Sequence, residues 1–286
     1  MKRGYADTPQ GQIHYTTAGE GEPLLLLHQT GSSRHFWKMM PLLAKKYRTF
    51  APDNLGSGNS DPLPPNVQIA DLARSMVDFM DFLEIKKTHI FGFHTGNKIG
   101  TEMAVSWPSR VDRLILCGHT HSIMAEQEAL NAALRAVVAP SLRKFEPEPD
   151  GSHLLKQWAA DYASVNNLWW DPALFTLKNL TPELLQRRKE RVLDYLQLRN
   201  VAEVYRAIFA FDLGTRMREI KAKTLIIEVA TPPEAHLGRQ GEKLVKLVPG
   251  SRLATVEHTA GGLAVEAKAE ELAGIILDFL KREPPS

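Results

Sequence analysis

The stretch that most constrains this chain is Thr88-His89-Ile90-Phe91-Gly92-Phe93-His94-Thr95-Gly96-Asn97-Lys98-Ile99-Gly100. It reads as a short apolar strand, a glycine-bracketed corner and the first turn of a helix. Such a corner holds its central residue on a tight strand-to-helix turn, with the tip above the sheet. Glycines two positions before and two after it let neighbouring backbone pass close by. Gly92-Phe93-His94-Thr95-Gly96 has that spacing, with a histidine where such corners commonly hold a nucleophilic serine.

On either side of the corner the pattern alternates. Gly11 to Gly19 alternates apolar and polar residues and reads as an edge strand. Pro23 to His28, with four leucines in a row, reads as a buried strand, and Tyr47 to Pro52 as the next. Phe36, Trp37, Met40, Leu42 and Leu43 begin an amphipathic helix. Ile69, Leu72, Met76, Val77, Met80 and Leu83 give a second helix its 3.6 period. Val111 to Cys117 is a further buried strand. Strands alternating with helices imply a mostly parallel sheet with helices on both faces. From about Gly118 to Glu219 the alternation stops, leaving helical stretches rich in Leu, Trp and Tyr. It resumes with a strand at Thr224 to Val229, a helix near Gly241 to Leu247, a strand at Arg252 to Glu257 and a last helix carrying Leu272, Ile276 and Phe279. The expected division is a core of residues 1–118 and 219–286 with a helical lid of residues 119–218.

Composition excludes several classes of partner. Lys and Arg number 35 against 33 Asp and Glu, a net charge of +2, which makes no electrostatic case for nucleic acid or an acidic membrane. No apolar run approaches the roughly 20 residues that span a bilayer. The basic start, Met1-Lys2-Arg3, has no apolar region behind it, so no signal peptide is expected. The single cysteine, Cys117, cannot form an internal disulfide and reads as a small core residue; a reducing, cytoplasmic setting follows. A small-molecule ligand and a monomer or homodimer are the expectations for partners.

The order of four segments resembles the α/β-hydrolase superfamily, in its small-lid esterase, epoxide-hydrolase and C–C-hydrolase-like branch. They are Gly19 to His28, Asp53-Asn54-Leu55-Gly56-Ser57-Gly58-Asn59-Ser60, the Gly92 to Gly96 corner, and Trp107-Pro108-Ser109-Arg110-Val111. The resemblance implies a Ser, Cys or Asp at the corner, an acid after a later strand and a histidine after the last strand. Here the corner holds His94. The acid position falls near Thr231 or Pro232, or at Gly118 or His119, and the late histidine position at Gly261 or Gly262. All three have changed type. The Asp53 turn is structural in the family.

His94, at the start of a helix, has its pKa pushed down by the partial positive charge there and is neutral near pH 7. A neutral imidazole can act as a general base, or attack a carbonyl and give an acyl-imidazole. Backbone N–H groups of Thr95 and of Gln29 or Thr30 are the expected oxyanion donors. Glu228, Glu234 and Glu257 are candidate partners for the ring, and His258 a displaced base. His28, His119, His121, Trp158, Trp169 and Trp170 are expected pocket residues. His119-Thr120-His121 offers two metal ligands, with His94 or His28 as a third, but no carboxylate stands at motif spacing, so no metal and no cofactor is expected. The leading expectation is a hydrolase of a small apolar ester, lactone or related carbonyl compound. The alternatives are a small-molecule receptor derived from a hydrolase and a cofactor-free lyase or isomerase with His94 as lone base.

Overall fold

A computed structural model describes residues 1–119, 121–124, 129–139, 146–159, 181–182, 186, 189–190, 193–194, 201–230, 232–258 and 263–281. The strands are β1 (Lys2–Thr8), β2 (Gly11–Ala18), β3 (Pro23–Leu27), β4 (Arg48–Pro52), β5 (Thr88–Phe93), β6 (Val111–Cys117), β7 (Lys223–Ala230) and β8 (Arg252–Glu257). They form one sheet in the order β1-β2-β4-β3-β5-β6-β7-β8. β2 runs antiparallel to β1 and β4, and the pairs from β4 through β8 are parallel.

The α-helices among the described residues are α1 (Met39–Leu43), α2 (Ile69–Phe82), α3 (Thr95–Ser106), α4 (Asn131–Val138), α5 (Val201–Ala210), α6 (Leu213–Arg218), α7 (Gly241–Leu247), α8 (Ala264–Ala267) and α9 (Ala269–Leu280). The four-leucine run has a direct cause, because the sheet is covered on both faces. Leu25 and Leu27 pack into a core with α2 and α3 residues such as Met76, Phe79 and Ile99. Leu24 and Leu26 pack into a second core with Leu43 of α1 and with Leu272 and Ile276 of α9.

Two expectations are corrected. Gly11–Ala18 is not the edge strand: β1 lies outside it, pairing from Lys2 with Thr17 to Thr8 with Gly11. The helix expected from Phe36 onward is split into a 3₁₀ turn at Ser33–Phe36 and the short α1.

The segment between β6 and β7 contributes α4, α5 and α6. Arg216 of α6 donates to both carboxylate oxygens of Glu102 on α3 at 2.8 Å, which ties α6 to the sheet-covering layer. Asp194, 2% exposed, accepts from Ser32 Oγ at 2.7 Å and pairs with Arg34, holding this segment against the loop after β3.

The turn after β4 is organised by Asp53, which accepts from His14 Nδ1 and the Ser33 amide, each at 2.8 Å, and from the Asn59 amide at 3.1 Å. Burial pushes its pKa up, but the hydrogen bond from His14 and the charge and amides around it outweigh that and hold it at about 2. Gly58, at φ +53, has no room for a side chain, since a Cβ there would stand 2.2 Å from Asp53 Oδ2. The turn is architecture, as the resemblance implied.

Candidate active site

His94 sits between β5 and α3 at φ 50, ψ −105, a backbone conformation that L-residues rarely adopt. Its amide donates to the Cys117 carbonyl at 3.0 Å and its carbonyl accepts from the Asn97 amide at 3.1 Å, so both sides of the corner are pinned. The flanking glycines are required by space. A Cβ on Gly92 would stand 2.4 Å from the Gly96 carbonyl oxygen, and one on Gly96 would stand 2.0 Å from that of Leu27. The corner thus comes to rest on the end of β3. The imidazole stacks on Phe93, with ring centroids 3.9 Å apart and planes 25° apart.

A cavity of about 30 Å³ lies against the corner, lined by Gln29 and Thr30 from the loop after β3, by His94, Thr95 and Lys98, and by Leu134, Val138, Tyr205 and Ile208. The last four, from α4 and α5, present an apolar wall to a polar floor. Thr30 and Thr95 bring their hydroxyl oxygens within 3.3 Å of each other. Burial pushes the Tyr205 phenol up to about 12, against the effect of a hydrogen bond with Thr30. Gln29 lies outside the left-handed region, so the loop takes up its turn at Gly31, φ +136, instead.

The histidines cluster as neutral rings. Burial, then the Lys98 ammonium and His119, hold His94 well below its ordinary 6.5. Burial and Lys98 push His119 down to about 3, and burial, Lys98 and the other two rings hold His121 well below 6.5. A group whose folded pKa is depressed in this way refuses a proton that the unfolded chain accepts. Its contribution to stability is complete above about 6.5 and shrinks as pH falls towards the folded value. For His119, pushed down to about 3, that amounts to roughly 1 kcal/mol per pH unit. The thermal midpoint is therefore expected to be lower at pH 5 than at pH 7, and less so in His119→Asn. Equal midpoints at the two pH values would contradict this.

His28 has a different task. Its Nε2 accepts from the Asn54 amide at 2.9 Å and its Nδ1 donates to the Gln29 carbonyl, so it staples the end of β3 to the turn after β4 rather than lining the cavity. Burial lowers its pKa, against the opposing charge of Asp53. His119 and His121 are buried and are not among the cavity's lining residues, and His121 packs edge-on to Phe209 at 6.1 Å. Among the described residues no group of three or more His, Cys, Asp or Glu is arranged to hold a metal ion.

Glu228 is committed elsewhere. Its Oε1 accepts from the amides of Gln240 and Gly241 at 2.6 and 2.7 Å, capping the start of α7, and its Oε2 faces Arg239 at 3.3 Å. Glu257 also pairs with Arg239, at 2.5 Å, on the surface. Glu228→Ala is expected to cost about 1–2 kcal/mol in urea unfolding through the lost cap and to leave kcat unchanged; a fall in kcat with stability intact would return Glu228 to the site. Trp158 is 41% exposed and lies outside the cavity lining. His258 is buried at the end of β8. Trp169, Trp170, Thr231, Gly261, Gly262 and the side chain of Glu234 lie outside the described residues.

Lys98 was not singled out by sequence. The signal was present: a lysine four residues beyond His94 in a helix that is buried from Thr95 to Ala104.

The chain belongs to the alpha/beta hydrolase fold family, whose model matches residues 22–189. It is 30% identical over 291 residues to a 2-hydroxy-6-oxononadienedioate/2-hydroxy-6-oxononatrienedioate hydrolase of Paraburkholderia xenovorans (strain LB400), covering 94% of this chain and 90% of that one. It is 29% identical over 282 residues to a 2-hydroxy-6-oxo-6-phenylhexa-2,4-dienoate hydrolase of Comamonas testosteroni, covering 94% and 91%. Among solved structures, the enol-lactonase from Burkholderia xenovorans LB400 shares the fold with a TM-score of 0.73 at 20% identity, over 98% of this chain and 100% of that one. No helix among the described residues is long and apolar enough to cross a membrane.

Proposed function

We propose that this protein is a hydrolase of a small, fairly apolar carbonyl compound, an ester, a lactone or a ketone cleaved at a C–C bond, with His94 as general base or nucleophile. The observation that carries the reading is the placement of His94. A histidine kept neutral by burial is held at φ 50 on a corner that opens on a pocket between the sheet and the inserted helices. The relatives' activities support a carbonyl substrate, since both named enzymes hydrolyse oxo-dienoate compounds.

The chemistry follows from a neutral imidazole at the corner. As a base, it takes a proton from water while the water oxygen bonds to the carbonyl carbon and the C=O π pair moves to oxygen; collapse then breaks the bond to the leaving group, the alkoxide of an ester or lactone or the enolate carbon of a cleaved ketone, which takes the proton back from the imidazolium. As a nucleophile, its nitrogen bonds to that carbon, the same leaving group departs and is protonated, and water then cleaves the acyl-imidazole. In both routes charge develops on the carbonyl oxygen, where the Thr95 and Gln29 or Thr30 amides are the proposed donors. The cavity of about 30 Å³ is far below the roughly 300 Å³ of ordinary ligand sites, so the substrate's apolar part displaces Leu134, Val138 and Ile208.

A second reading, a cofactor-free lyase or isomerase using His94 only for proton transfer, is favoured by the engagement of Glu228 and Glu257 with Arg239. Hydrolysis of short p-nitrophenyl esters by wild type and His94→Ala, against free imidazole as control, separates the two. Turnover above the control that is lost in the variant supports the hydrolase. Wild-type turnover no better than free imidazole sinks the ester-hydrolysing form of the reading and moves the weight to proton transfer.

A further inference from the structure

Neither route uses the cation in the pocket. Lys98 is 1% exposed and lines the cavity one helical turn beyond His94. Its ammonium donates to the His94 carbonyl and to Asn97 Oδ1, each at 3.2 Å. Gln29 lines the same cavity and is 2% exposed, and neither its Nε2 nor its Oε1 has a hydrogen-bond partner among the described residues. A buried carboxamide left in that state carries its full desolvation penalty, which a ligand can relieve.

We propose that Lys98 and Gln29 form a recognition pair for an anionic oxygen group of the substrate, a carboxylate or an enolate, so that the pocket selects a carbonyl compound bearing a negative charge. This deepens the proposed function and rests on the pocket being its substrate site.

The electrostatics favour this occupant. Among the described lining residues Lys98 is the only formally charged side chain, and a charge in a low-dielectric site acts over a longer range than one in water. His94, His119 and His121, all held neutral, leave the positive potential centred on Lys98. An anionic oxygen gains an ion pair with Lys98 and a hydrogen bond from Gln29 Nε2, with Oε1 turned away. The rest of the lining, Leu134, Val138, Ile208 and the Tyr205 ring, suits the apolar remainder of such a molecule.

The test compares two ligands of one shape. Butyrate, the acid product of a short-chain ester, and butyramide, its neutral counterpart, are titrated into the full-length protein by ligand-observed NMR. Wild type is expected to bind butyrate at least about tenfold more tightly than butyramide, the worth of one charge-assisted contact. Lys98→Met is expected to bring the two affinities together, and Gln29→Leu to weaken butyrate several-fold with butyramide little changed. Equal affinities in wild type, no binding of either ligand, or a butyrate preference that survives both substitutions would overturn the proposal. Should Lys98→Met fail to fold, Gln29→Leu carries the test. His94→Ala, which keeps both recognition groups, is expected to retain the butyrate preference. A failed ester assay with that preference intact refutes the ester-hydrolysing reading alone, whereas lost preference with intact hydrolysis refutes this inference.

Discussion

His94→Ala is expected to lower kcat/KM for short p-nitrophenyl esters by about 10²–10⁴-fold, the usual worth of a positioned acid–base group. The variant removes the imidazole and leaves the corner's backbone in place. The corner's hydrogen bonds, His94 N–H to Cys117 and Asn97 N–H to the His94 carbonyl, are made by backbone and persist in alanine. The left-handed φ of 50 costs alanine about as much as it costs histidine. Loss of the Phe93 stacking is worth about 1 kcal/mol at most, too little to unfold the chain. A fall in rate with an unchanged circular dichroism spectrum therefore reports chemistry. An unchanged rate would remove His94 from the mechanism.

The second large effect falls on stability. Gly96→Ala is expected to cost about 3 kcal/mol or more, on the order of 10 °C in thermal midpoint. The added Cβ meets backbone, at 2.0 Å from the Leu27 carbonyl oxygen and 2.5 Å from its carbon, and a central strand hydrogen-bonded on both sides cannot retreat. Gly274→Ala is the matched control. Gly274 lies on the exposed side of α9 with nothing within 4 Å of an added Cβ, and alanine there is expected to stabilise by about 0.5–1 kcal/mol. Differential scanning calorimetry of the two variants reads both. A Gly96→Ala protein as stable as wild type would mean that α3 does not rest on β3 as described.

The corner was legible in the sequence because it is overdetermined. Glycines at 92 and 96 answer to two separate close contacts, and the apolar run of β5 gives way to a helix at the residue where φ turns positive. Pro23–Leu27 was legible because burial on both faces leaves it without polar residues. β1 was not, because it packs along one side of the sheet's edge and only Ala6 of its residues is fully buried, so its sequence has the polarity of a terminus.

Site residues divide along the same line. The position of His94 is local and could be read. The cap that engages Glu228 depends on the start of α7 returning beside β7, and the cavity beside Lys98 depends on α4 and α5 supplying its apolar wall; both are long-range facts that no spacing in the sequence encodes. Asp194 pairing with Ser32 and Arg34 across 160 residues is of the same kind.

The central claim, a histidine held neutral and ready to act, is tested most directly by the pH dependence of kcat/KM on a short p-nitrophenyl ester. A base is active when deprotonated, and the folded pKa of His94 lies well below 6.5. The account predicts a profile that is flat from about pH 8 down through 6.5 and falls only at lower pH. A wild-type profile that halves near the ordinary histidine value of about 6.5 would contradict it, by showing that an unperturbed group elsewhere carries the proton.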